Sequence, residues 1–143
     1  MGRLAKATLA LALGLALGAC GDVNYPSVDT IEVLQGQAVI ATIQPKSGSE
    51  TTIQEDVPVD AVFRIHFDEP MDLATAAGKI VVRENPGEDV AVTLSARLEV
   101  VTASPDRALR GGLNHVLDID SGIDDTSGNP TMRAYVVNFY TAP

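Results

Sequence analysis

Residues 59–67 read VDAVFRIHF and are the clearest indication of the fold class of the chain. One side of its alternation is apolar and consists of Phe63, Ile65 and Phe67. The residues between them include Arg64 and His66, whose side chains prefer water. An alternation with a period of two places one set of side chains in a core and the other in solvent. The stretch therefore predicts a half-buried β-strand.

Stretches with the same period of two lie on both sides of this strand. The clearest are 38–43, 80–83, 90–98, 98–103, 115–119 and 134–141, and a short first strand at 31–34 is a further candidate. Their spacing of roughly 8–12 residues is typical of antiparallel sandwiches. One helical turn is expected at 73–77, with Asp72 as its N-cap and Gly78 as its stop. The chain is therefore predicted to be all-β, an antiparallel β-sandwich of about seven strands over residues 38–143.

The start of the chain has the order of a cleavable secretory signal peptide, predicted here as residues 1–19. Arg3 and Lys6 precede the apolar run 7–17, which is shorter than the roughly 20 residues that cross a bilayer. The run ends in LGAC, and Cys20 is the only cysteine of the chain. LGAC resembles the bacterial lipobox, which is a branched aliphatic residue, a small residue, Gly or Ala, and then Cys.

The lipobox resemblance implies cleavage between Ala19 and Cys20. It also implies a diacylglyceryl thioether on the Cys20 sulfur, usually with a fatty acid such as palmitate on the new amino group. The alternative is a plain secreted protein with one spare thiol. Residues 20–37 begin with a polar, turn-rich segment and are predicted to be a lipidated tether. Gly21, rather than Asp, follows the cysteine, and by analogy with the enteric sorting rule this favours the outer membrane if the organism has one.

Acidic residues dominate the part of the chain that remains after such cleavage. The 143-residue chain carries a formal charge of −9. Removal of residues 1–19 takes away its first two cations and leaves 8 basic and 19 acidic residues, a charge of −11. Nucleic acid and anionic lipid headgroups both need a basic face, so this charge argues against them as partners, and no nucleic-acid binding is predicted. Acylation of Cys20 would leave no thiol for a disulfide, a thiolate metal site or a cysteine nucleophile.

Three short motifs follow one another along the chain, and their order matters as much as their residues. Residues 62–72 (VFRIHFDEPMD) are similar to an apolar strand ending in F-S-E-P-V-D, and residues 109–117 (LRGGLNHVL) to L-x-x-G-x-x-Y-x-V. Residues 125–130 (DTSGNP) are similar to D-x-x-G-N-P, and the closing strand VNFYT follows at 137–141. Together they resemble the bacterial Ig-like domain of the SbsA type. The resemblance implies an Ig-like β-sandwich used for spacing, display or adhesion, with no shared active site.

The two histidines have different predicted roles. His66 falls on the polar face of its strand and is expected at the surface. His115 replaces the aromatic residue usual in the second motif and is expected in the core, satisfied by a backbone carbonyl. No third ligand accompanies either one, so a zinc site is rejected. Asp68, Glu69 and Asp72 surround a proline turn and are expected to serve turn and cap geometry, so no catalytic residue is predicted.

Oxygen ligands are crowded near the end of the chain. The weak calcium candidates are Asp118, Asp120, Asp124, Asp125 and Asn129. Crowded carboxylates suit Ca²⁺. The EF-hand pattern fails, however, because Ile123 stands where that loop requires glycine. A connecting loop shaped by Asx turns is the alternative interpretation.

The preferred function is a lipid-anchored, non-enzymatic envelope protein with a structural, display or adhesion role. Its expected partners are the membrane, through the lipid, and an envelope protein or glycan. One alternative is a small ligand-binding lipoprotein for calcium or a glycan, and a less favoured one is a cryptic hydrolase. No cofactor is expected apart from the covalent lipid.

Overall fold

A computed structural model describes residues 23–46 and 52–143. Its elements are β1 (Val28–Gln35), β2 (Ala38–Ile43), β3 (Thr52–Val57), β4 (Val62–Phe67), α1 (Leu73–Ala76), β5 (Ile80–Asn85), β6 (Asp89–Val90), β7 (Val92–Arg97), β8 (Val100–Pro105), β9 (Asn114–Ile119) and β10 (Tyr135–Thr141). The strands form two five-stranded sheets. The first sheet has the order β2-β1-β4-β8-β7, and the second has the order β3-β10-β9-β5-β6.

The two sheets pack face to face around one apolar core. Phe63 of β4 meets Phe139 of β10 across the interface, with ring centroids 5.1 Å apart and ring planes tilted by 53°. Val33, Ile65 and Leu117 are also completely buried there. Full burial of such a side chain contributes about 1.5–3 kcal/mol, so the alternating strands hold the sandwich without a disulfide.

The all-β sandwich prediction is confirmed, and its strand count is corrected. The described residues form ten strands rather than about seven. β3 was not predicted, because its sequence TIQEDV is largely polar and acidic and lies at a sheet edge. It also pairs in parallel with β10, whereas the other strand pairs run antiparallel.

The predicted tether at 20–37 is too long, because β1 lies inside it. β1 pairs with both β2 and β4 and carries the completely buried Ile31. The residues just before β1 are also attached to the domain. Asn24 Nδ2 donates to Glu69 Oε1 at 2.7 Å, and the backbone N–H of Ser27 donates to Asp68 at 2.7 Å.

The helical turn is confirmed, and two strand bounds shift. Asp72 caps α1 by accepting a hydrogen bond from the backbone N–H of Ala74 at 3.1 Å. The strand predicted from residue 59 begins at Val62, because the preceding residues form a turn in which the Ala61 N–H donates to the Pro58 carbonyl. Leu98 lies in the β7–β8 turn with φ +54°, not in a strand.

The predicted signal peptide at 1–19, its cleavage site and Cys20 lie outside the described residues. Within 23–46 and 52–143, no helix is long and apolar enough to cross a membrane.

Candidate functional site

A buried charged cluster lies at one end of the sandwich, where β5 ends and β9 begins. We call it the distal cluster, and it consists of Glu84, Arg107, Arg110 and His115. Glu84 shares the inward face of β5 with Ile80 and Val82. It stands directly opposite His115 of β9 in the antiparallel register. The period of two therefore carries one carboxylate into an otherwise apolar layer.

Two arginines from the segment after β8 cover the Glu84 carboxylate. Arg107 Nη1 donates to Glu84 Oε1 at 2.8 Å, and Arg110 Nε lies 3.2 Å from Oε2. Glu84 is only 2% exposed, whereas both guanidinium groups reach solvent. This arrangement compensates the buried negative charge while the two cations keep much of their hydration.

The electrostatics of the distal cluster keep Glu84 ionised. The hydrogen bond from Arg107 lowers the pKa of Glu84 to about 2, against the opposing effect of burial. The positive charges of both arginines and a backbone hydrogen bond from Arg110 act in the same direction. A general base works best with a pKa near the working pH, so this carboxylate is poorly suited to proton transfer. It is well suited to holding a loop against the sheets.

His115 is the fourth residue of the distal cluster. Its ring stacks on Phe139 with centroids 5.1 Å apart, and its Nδ1 lies 3.1 Å from the Leu113 carbonyl oxygen. The core position and the backbone-carbonyl partner predicted for this histidine are thus confirmed. Its Nε2 faces Glu84 Oε1 at 3.7 Å, which is too long for a hydrogen bond. Thr141 Oγ1 donates to the Arg110 carbonyl at 2.6 Å and fixes the same loop to β10.

The residues proposed for calcium are not brought together as one ligand set. Asp125 accepts hydrogen bonds from the backbone N–H groups of Ser127 (2.7 Å) and Asn129 (2.8 Å). It also accepts one from Asn129 Nδ2 at 2.9 Å, and the bonds from Asn129 are the main cause of its lowered pKa. Both carboxylate oxygens of Asp125 therefore shape the loop.

The other calcium candidates have separate surroundings. Asp118 forms an ion pair with Arg83 at 3.3 Å, and its pKa is raised by burial and by the neighbouring Asp120. The backbone N–H of Asp124 donates to Thr75 Oγ1 at 2.8 Å. In the part of the chain that the structure describes, no group of three or more His, Cys, Asp or Glu side chains is placed to hold a metal ion. Calcium binding stays the less favoured of the two interpretations of this segment.

The acidic turn after β4 joins the N-terminal segment to the domain. Asp68 accepts hydrogen bonds from both the backbone N–H and the hydroxyl of Ser27, at 2.7 and 2.8 Å. His66 remains on the polar face of β4, as predicted, with Nε2 3.0 Å from Glu32 Oε2. The same oxygen lies 3.1 Å from Arg64 Nε.

Glu84 is the main residue that sequence reasoning missed. The predicted strand ends at Arg83, whereas β5 continues for two more residues to Asn85. Continuing the alternation of Ile80 and Val82 by one step would have placed Glu84 inward. Its arginine partners lie 23 and 26 residues further along the chain, so no local pattern announces the pairing.

These features together define an Ig-like β-sandwich with a buried structural ion cluster. The chain belongs to the bacterial Ig-like domain family, which it matches over residues 35–141. Among solved structures it is similar to the N-terminal part of the bacterial S-layer protein SbsC, with 22% identity and a TM-score of 0.45. That similarity covers 71% of this chain but only 24% of the other. A comparison with curated proteins gives no match.

Proposed function

We propose that this protein is a lipid-anchored protein of the bacterial envelope whose Ig-like domain, of the SbsA type, has a structural, display or adhesion role. The observation that carries the proposal is the lipobox-like LGAC ending at Cys20, followed from residue 35 by a bacterial Ig-like domain. Two acyl chains, at about 0.8 kcal/mol for each buried CH₂, hold a protein stably on a membrane.

The small number of residues between Cys20 and the domain supports a close attachment. Asn24 is already hydrogen-bonded to Glu69 of the turn after β4. Four residues of extended chain span at most about 14 Å, so the anchor would hold the sandwich near the bilayer surface. The end carrying α1 would face the membrane, and the distal cluster would lie at the far end.

The chemistry of the distal cluster supports a structural role over a catalytic one. Its carboxylate is ionised, buried and engaged by Arg107 and Arg110. A group locked in this way stabilises a loop, and it offers a substrate neither a base near neutral pH nor an open position. A spacer or adhesion module requires this kind of rigidity.

Mass spectrometry of the N-terminal peptide from protein in its native membrane tests the anchor. We expect a peptide that begins at Cys20 and carries a diacylglyceryl group. A Cys20→Ser variant is the matched control and should leave the membrane fraction. An unmodified Cys20 thiol in membrane-derived protein would rule out the anchor.

Membrane fractionation tests the finer location in an organism with two membranes. The wild-type chain should sediment with the outer membrane. A Gly21→Asp variant, which reverses the sorting preference, should shift to the inner membrane. Recovery of both forms in the same fraction would contradict the proposed sorting.

A further inference from the structure

The outer face of the first sheet carries a polar surface that the proposed function does not use. We call this surface the arginine face. Its first row is Arg64, Thr102 and Ser95, and its second row is His66, Val100 and Arg97. The rows run across β4, β8 and β7. Ile65 and Val101, which alternate with these residues, are completely buried, so the two rows point away from the core.

Arg97 is exceptional among the cations of this acidic chain. Within residues 23–46 and 52–143 it makes no ion pair or hydrogen bond to protein. The hydroxyls of Ser95 and Thr102 beside it likewise have no protein partner in the described part of the chain. A guanidinium with five donors and two neighbouring hydroxyls are therefore all available to one ligand.

Charge on this face differs from that of the molecule as a whole. Glu32 of β1 lies on this side of the sheet and is shared by Arg64 and His66, and the exposed Asp29 lies near the start of the same strand. Glu99 lies in the β7–β8 turn next to Arg97, and most other carboxylates lie in loops at the two ends or on the second sheet. At physiological ionic strength the screening length is about 8 Å, so an anion on this face responds mainly to nearby groups. Among these, Arg64 is paired with Glu32, whereas Arg97 has no carboxylate partner in the described part of the chain.

A groove on the arginine face indicates the size and kind of ligand. It has a volume of about 360 Å³ and is lined by Arg64, Ser95, Ala96, Arg97, Val100 and Thr102. That volume is at the low end of the roughly 300–1,000 Å³ of small-molecule sites, which leaves room for one sugar-sized unit. Protein partners insert aromatic or large anchors into deep pockets, and this open groove offers none.

We propose that the arginine face binds an acidic polysaccharide through the carboxylate of one sugar unit. Arg97 and Arg64 lie two strands apart, about 10 Å across the sheet, and approach the groove from opposite sides. A carboxylate accepts the paired donors of a guanidinium. The Ser95 and Thr102 hydroxyls both donate and accept, as sugar hydroxyls require.

The first experiment measures binding of the full chain, in detergent, to immobilised polygalacturonate, with neutral dextran and poly-glutamate as reference polymers. We expect binding to polygalacturonate alone. Arg97→Gln should weaken it by at least about tenfold, since a charge-assisted bond is lost. Thr102→Val keeps the shape and net charge and should weaken it about fivefold.

The matched control is Arg83→Gln, which removes the same charge from the outer face of the second sheet. It should leave polygalacturonate binding unchanged. Equal losses in the Arg83 and Arg97 variants would reveal a bulk charge effect and overturn the proposal, as would absence of binding by the wild-type chain. Equally tight binding of poly-glutamate would overturn the polysaccharide assignment. Because this assay needs no acyl chain, its failure is distinguishable from failure of the lipid anchor.

Discussion

At the scale of single residues, stability depends on carboxylates that the fold has taken out of water. Glu84 and Asp125 are both buried, but they differ in their partners. Glu84 is compensated by arginine side chains from a distant loop, whereas Asp125 is satisfied by N–H groups within four residues of it. The first links separate parts of the chain, and the second shapes one turn.

Glu84 should give the protein a measurable acid sensitivity. Its pKa is about 2 in the folded state, below the 4.5 of an ordinary glutamate. Its contribution to stability is therefore complete above about pH 4.5 and is lost as the pH falls toward 2. Thermal melts between pH 7 and pH 2 should show a smaller pH dependence for Glu84→Gln than for wild type. That variant should also have a lower Tm at pH 7.

The control for this measurement is Glu55→Gln, a substitution on the exposed edge strand β3. Its melting curve should follow that of wild type across the pH range. Parallel pH profiles for wild type and Glu84→Gln would contradict the assigned role of Glu84.

A second prediction concerns Asp125 and asks whether the loop that it shapes needs a metal ion. Because its carboxylate already accepts three hydrogen bonds from Ser127 and Asn129, we expect neither Ca²⁺ nor EDTA to change the Tm. Asp125→Ala should lower the Tm by about 5 °C. Thermal melts with Ca²⁺ and with EDTA check both statements. A fall in Tm with EDTA, reversed by Ca²⁺, would instead establish a calcium site.

At the scale of elements, β1 and β3 decide how the sandwich is completed. The family match begins at residue 35, which is the last residue of β1, so nearly all of β1 lies outside the match. β1 nevertheless lies inside the first sheet, between β2 and β4. β3 extends the second sheet through parallel pairing with β10. Each of them joins an established strand and depends on that neighbour for its conformation.

Ile31 tests the place of β1 in the fold. Its side chain is completely buried, so Ile31→Ala should lower the free energy of unfolding by about 2–5 kcal/mol. Val39→Ala on the neighbouring β2 is the control, because Val39 is 44% exposed and its truncation should change stability by about 0.5 kcal/mol or less. Urea unfolding measures both. A neutral effect of Ile31→Ala would mean that the segment is only a tether.

At the scale of the whole molecule, the two sheets are held together by side chains that no single sheet controls. The contact between Phe63 and Phe139 bridges the sheets, and the His115 ring stacks on the same Phe139 ring with an interplanar angle of 14°. The apolar centre and the distal cluster are thus continuous. A substitution that disrupts packing in the apolar centre should therefore also disturb the distal cluster.

A double-mutant cycle with Phe63→Leu and Phe139→Leu measures this bridging contact. Aromatic pairs contribute about 0.5–1.5 kcal/mol beyond their buried area. The losses of unfolding free energy in the two single variants should therefore add up to more than the loss in the double variant, by that amount. Chemical unfolding of the four proteins provides the values. Strict additivity would show that the rings act only as independent apolar groups.

Features that depend on near neighbours in the chain could be predicted from the sequence. The alternation at 62–67 assigned the inner and outer faces of β4, and Asp72 was identified as a cap from its position before α1. His115 was placed in the core by the same period of two. These predictions succeed because side-chain direction in a strand, and capping at a helix start, are local properties of the backbone.

Contacts between segments that are distant in the chain could be identified only from the folded structure. β3 has no apolar alternation of its own and exists as a strand because β10 offers it a partner. Glu84 can be buried because a loop more than 20 residues away supplies two arginines. The arginine face arises where β4, β8 and β7 come into register. Pairing across such separations depends on the packing of the whole core, which no short window of sequence contains.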